Sequence, residues 1–161
     1  MKTSSFLTIG ALVAFAAVNT ASAQTATQTV TFQVTAINQI AVAGTPSLVI
    51  NAAAAGSAPT SVTASGNTWS VTTNQSGASI TASIPTAMPA GLTLSANLTA
   101  PAGATSTGLT ALGTTAVNVV TGITKLNSAA LGLAYQLDAT AAAGVVSSST
   151  RVVTYTITGG V

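Results

Sequence analysis

Cysteine, histidine and glutamate are absent from this chain, and aspartate occurs once, at Asp138. Each absence removes a class of chemistry. General acid–base catalysis draws mainly on histidine and carboxylates. Metal sites draw on the same groups and on thiolates, and thiol chemistry needs cysteine. One carboxylate cannot assemble the oxygen ligands of a calcium site. Serine is plentiful, but a nucleophilic serine needs a base, and the only cations are Lys2, Lys125 and Arg151. The chain is therefore expected not to be an enzyme. No catalytic, cofactor-binding or metal-binding residue is nominated, and no cofactor is expected.

Charge is almost as scarce as thiols. Charged residues make up 2% of the 161 residues. The pI near 9.5 reflects that scarcity and not a basic surface. A nucleic-acid partner would require several clustered cations to neutralise phosphates, so none is expected. Disorder goes with low hydrophobicity and high net charge. Here 48% of residues are hydrophobic, much of that alanine, which implies a thin, small-grained core. With net charge close to zero, self-association or association with other envelope or matrix proteins is favoured.

The first residues have the three parts of a secretory leader. Lys2 supplies the positive charge and Phe6 to Val18 the apolar run; Ala21-Ser22-Ala23 supplies a small-x-small cleavage site. The apolar run is shorter than the ~20 residues needed to span a bilayer. The expectation is a signal peptide over 1–23 and a single β-sandwich domain over 24–161. Export to the extracellular space, the cell surface or the periplasm follows, with no transmembrane segment after cleavage.

β-branched residues in period-two alternation dominate the remainder, which is the mark of strands. Thr29 to Ile37 (TVTFQVTAI) puts Val30, Phe32, Val34 and Ala36 on one face and Thr29, Thr31, Gln33 and Thr35 on the other. Further strands are expected at 40–43, 48–51, 61–64, 68–73, 78–84, 92–98, 116–120, 131–138 and 151–158. Ser65-Gly66-Asn67 reads as a turn, and 68–84 as a hairpin around Asn74-Gln75-Ser76-Gly77. Residues 52–59, 101–113 and 141–149 read as loops, with helical turns expected at most near 52–55, 109–112 or 127–130. Short strands between frequent turn signals imply an all-β antiparallel sandwich of about 7–9 strands with little helix. Four aromatics follow the leader: Phe32, Trp69, Tyr135 and Tyr155. Their place in the alternation suits core anchors; a sugar-stacking platform would need them exposed and coplanar. Asp138 and Arg151 would meet if the last two strands paired as a hairpin.

The junction Ala21-Ser22-Ala23-Gln24, the strand TVTFQVTAI and the final VVTYTIT together resemble small exported bacterial β-sandwich surface proteins of the pilin-like or immunoglobulin-like kind. The resemblance is one of pattern. It lacks the cysteine pair of chaperone–usher pilins and the Glu and long apolar helix of type IV pilins. It implies a fimbria-like assembly in which residues 24–37 add a strand to a neighbour, with Val30, Phe32, Val34 and Ala36 as anchors. Against this stands the commoner arrangement, in which that stretch is the first strand of its own sandwich. The functional expectation is a non-catalytic structural subunit of an extracellular fibre, matrix or surface layer. The alternative is an extracellular adhesin or carbohydrate-binding module, with the three loops as its contact surface.

Overall fold

The computed structural model describes residues 22–161, so most of the expected leader lies outside the described residues. The chain divides into two units at Gln33/Val34. In the first unit, residues 22–33 belong to no strand and are exposed. The second unit, Val34–Val161, is an antiparallel β-sandwich.

Among the described residues there are nine strands and one 3-10 turn, Ala141–Ala143. The strands are β1 Asn38–Ala43, β2 Val62–Thr73, β3 Ala78–Ser83, β4 Leu92–Leu98 and β5 Thr105–Ser106, then β6 Thr110–Ala111, β7 Val117–Ile123, β8 Leu126–Ala139 and β9 Thr154–Thr158. One sheet has the order β1-β2-β8-β4-β6 and the other β5-β7-β3-β9. All described strand pairs are antiparallel. No helix of the described residues is long and apolar enough to cross a membrane.

Alternation builds the core, because successive side chains of a strand face opposite sides. Trp69 and Val71 of β2, Ala78, Ile80 and Ala82 of β3, Leu94, Ala96 and Leu98 of β4, and Leu133 and Tyr135 of β8 are buried together. The facing β7 adds Val119, Val120 and Ile123. Trp69 is 1% exposed, and its indole N–H donates to the Thr99 carbonyl at 3.1 Å. That bond removes the cost of an unpaired buried donor.

From β2 onward every connection crosses between the sheets, and only the β1–β2 link stays within one. This overturns the expected 68–84 hairpin. Asn74 to Gly77 is an arch carrying the chain from one sheet to the other. Its backbone is tied to the similar β7–β8 turn: Lys125 N donates to Gln75 O at 2.9 Å, and Gly77 N donates to Thr124 Oγ1 at 3.1 Å. The same crossing keeps Asp138 and Arg151 apart. Asp138 accepts from the Ser61 hydroxyl and from Gln136 Nε2, whereas Arg151 donates to the carbonyls of Ala87 and Thr150.

Other expectations shift for local reasons. Ser65-Gly66-Asn67 does not break the strand; β2 runs through it with an irregular register against β8 between Ala64 and Asn67. Gly66 has φ 87°, the left-handed geometry that a bulge can use. A second irregularity between Trp69 and Val71 lies opposite Ala130, at φ 55°, whose N–H donates to Ser70 Oγ at 3.2 Å. The first irregularity adds a residue to β2 and the second adds one to β8, so the inward positions of β2 pass from Val62 and Ala64 to Asn67, Trp69, Val71 and Thr73. The 101–113 segment is not simply an exposed loop. It holds β5 and β6, one in each sheet, and buries Leu112, whose N–H donates to Leu94 O at 2.8 Å. Residues 48–51 form no strand, although Leu48 packs against the core. Among the described residues the only helical turn lies at 141–143, not at any of the three places expected.

The stretch 29–37 is not the first strand of the sandwich. Pairing begins only at Asn38, where β1 lies against β2 with Asn38 opposite Thr73 and Ala43 opposite Thr68. The Thr73 hydroxyl donates to Asn38 Oδ1 at 2.6 Å and closes that end of the ladder.

Candidate functional site

The sequence nominated Val30, Phe32, Val34 and Ala36. All four are exposed and none belongs to a strand. Val30 is 72% exposed, Phe32 90% and Val34 78%. A phenylalanine in water forgoes roughly 1.5–3 kcal/mol of burial free energy. Three such side chains at alternate positions are a strand face without a cover.

One residue fixes where the sandwich takes up this stretch. Asn74, in the arch after β2, donates from Nδ2 to the Thr35 carbonyl at 2.7 Å and accepts from Ile37 N–H on Oδ1 at 2.8 Å. Its own N–H donates to Ile37 O at 3.2 Å. Three bonds from one side chain and its backbone hold Thr35 to Ile37 against the arch. No apolar pattern announces this clamp. The Asn-Gln-Ser-Gly turn signal pointed to the position but not to the partner.

The sandwich ends in strands that carry no charge. β1 (NQIAVA) and β9 (TYTIT) are each at the outer edge of their sheet, and neither contains Lys, Arg, Asp, Glu or Pro. Natural sheets usually protect such edges with one of those residues. At the opposite margin the chain passes from β5 in one sheet to β6 in the other through a short turn at Gly108, which joins the two layers. Val153, just before β9, and Tyr155 and Ile157 within it pack inward against the core, while Thr154, Thr156 and Thr158 are exposed. Tyr155 Oη donates to Tyr135 Oη at 3.0 Å and so ties β9 to β8 in the other sheet. Burial, then this donated bond, then the nearby Tyr135 phenolate push the Tyr155 phenol far above its usual value. Burial also raises Tyr135, with the bond it accepts acting in the opposite direction.

The clefts near the loops mix polar and apolar surface. One, of about 630 Å³, lies between residues 48–53 and 139–149; a neighbour of about 360 Å³ is lined by Leu48, Met88, Leu94, Tyr135, Arg151 and Val153. Arg151 is the one charged side chain lining either of them. Among the described residues no three His, Cys, Asp or Glu side chains come together. The aromatics do not form a sugar platform. Trp69 and Tyr135 are buried and Tyr155 is half-buried, which leaves Phe32 alone in solvent.

Compared with protein-family models, with curated proteins and with solved structures, the chain matches none of them.

Proposed function

We propose that this protein is a non-catalytic, exported structural subunit of an extracellular fibre, matrix or surface layer, and that it assembles through β-strand pairing. The observation that carries this reading is Phe32, 90% exposed at the centre of an alternating stretch that belongs to no strand. Such a stretch gains main-chain hydrogen bonds and burial only by joining a sheet. The leader-like first residues support export. The near absence of charge supports association, since little electrostatic repulsion opposes contact between copies.

The reading as an adhesin or carbohydrate-binding module has less behind it. Binding hot spots favour Trp, Tyr and Arg. Apart from Tyr135 and Arg151 in the smaller cleft, the loop-lined clefts offer small and aliphatic residues.

Electron microscopy of the purified 24–161 protein tests the proposal. Filaments or ordered sheets that form without any other component are the expected result. A strictly monomeric species across a wide range of concentration, salt and temperature would refute it.

A further inference from the structure

The two sheets are unequal, with five strands facing four. The strand orders end at β1 in one sheet and at β9 in the other, and β9 pairs only with β3. The place on the free side of β9, facing β1, holds no strand among the described residues. The side chains that would face it record the deficit. Val42 and Ile40 of β1 lie opposite Trp69 and Val71 in the ladder, so they are on the core side. β1 approaches β9 across this rim, yet Val42 is still 50% exposed and Ile40 only half-buried.

The sequence that fits this place is in the chain itself. β9 and the residue before it alternate threonine with Val153, Tyr155 and Ile157. Thr29 to Thr35 alternates threonine or glutamine with Val30, Phe32 and Val34. Each has one aromatic at the centre of three apolar positions. Eight residues from Thr29 to Ala36 extend about 26 Å at ~3.3 Å per residue, enough to run the full length of a five-residue strand.

We infer that Thr29–Ala36 of one copy adds as an antiparallel strand to the free edge of β9 in a second copy, with Phe32 beside Tyr155 and its apolar face over Val42 and Ile40. This rests on the assembly reading above and names its acceptor edge, direction and register. Antiparallel pairing matches every described strand pair in the molecule and is slightly the more stable per residue. Directly opposed aromatics on one face are favourable cross-strand partners. In this register Val30 lies beside Ile157 and Val34 beside Val153. On the outer face Thr31 lies beside Thr156 and Gln33 beside Thr154.

The absence of cysteine makes the test clean. Two single variants of the 24–161 protein, Thr31→Cys and Thr156→Cys, are co-assembled and oxidised, and the linked peptides are identified by mass spectrometry. A second mixture pairs Thr31→Cys with Thr154→Cys, the partner expected if the strands ran parallel. All three positions are exposed, and Trp69 fluorescence checks that each variant folds. A disulfide joining 31 to 156, several-fold more abundant than one joining 31 to 154, is the expected result. A dominant 31–154 link would overturn the antiparallel register. Assembly with no link from position 31 to either β9 position would overturn the acceptor assignment while leaving self-assembly intact. Failure of the unmodified protein to assemble would remove both.

Discussion

Tyr155 donates a hydrogen bond to Tyr135 across the sandwich, phenol to phenol, at 3.0 Å. The two residues come from β9 and β8, which lie in different sheets, so this bond joins the layers at the side where β9 has a free edge. Both phenols are held protonated by burial, whereas an unfolded tyrosine ionises near 10. As pH rises the unfolded chain therefore releases protons first. The contribution to stability is intact below about 10 and is lost above it. Urea denaturation against pH is expected to show a flat midpoint to about pH 9 and a fall beyond ~10. Tyr155→Phe should cost about 0.5–1.5 kcal/mol at neutral pH and make the alkaline fall shallower. Equal alkaline slopes in both proteins would show that the pair does not carry this dependence.

Trp69 is the largest of the fully buried side chains and the only tryptophan, so it reports on the core. Its emission should be blue-shifted in the folded protein and move to the red in one step with denaturant. Leu98→Ala, in the same buried cluster, should lower the unfolding free energy by about 2–5 kcal/mol. That loss is large because an alanine-rich interior has few big side chains to spare.

Gly44 follows β1 at φ 120°, and a Cβ there would overlap the Asn67 amide. Asn67 is buried and uses its Nδ2 to satisfy the Ala64 carbonyl, at the bulge in β2. Gly44→Ala is expected to destabilise by about 1–3 kcal/mol, from backbone strain alone, and the displaced amide adds to this. Gly113→Ala, where a Cβ meets open space, should change stability by less than about 0.5 kcal/mol. Thermal denaturation of the two variants side by side checks the contrast.

Residues 24–33 contribute no strand and no core residue, and the Asn74 clamp starts at Thr35. A protein comprising 34–161 should therefore fold with the same Trp69 emission and a midpoint within a degree or two of the 24–161 protein. It should lose the ability to assemble. Asn74→Ala should act differently: it removes two side-chain bonds to Thr35 and Ile37 and lowers stability by about 1–2 kcal/mol.

Strand positions were legible in the sequence wherever alternation was decisive. β4 at Leu92–Leu98 coincides with its apolar pattern, and Trp69, Val71, Leu133 and Tyr135 are inward as their spacing implied. Strand pairing was not legible. A turn such as Asn74 to Gly77 looks the same in one sequence whether it folds strands side by side or arches between layers. The deciding contacts, to Thr124 and Lys125, come from about fifty residues away. The 101–113 stretch misled because its glycines and threonines hide a buried core leucine, Leu112.

The candidate site was half legible. The face formed by Val30, Phe32 and Val34 can be read directly, because alternation survives whether or not a partner is present. Its lack of a place in the sandwich cannot be read, because that depends on β1 starting at Asn38 and on the Asn74 clamp. The strand-competent pattern alone fits an internal strand equally well, and the structure, not the sequence, leaves Phe32 in solvent.

Time-resolved light scattering of the 24–161 protein beside its Phe32→Asp variant is the most direct test of assembly through this stretch. Steady growth of the unmodified protein into large species is expected. The variant should keep the same Trp69 unfolding midpoint and remain at the mass of one chain. Equal growth of both proteins, or none in either, would contradict the account.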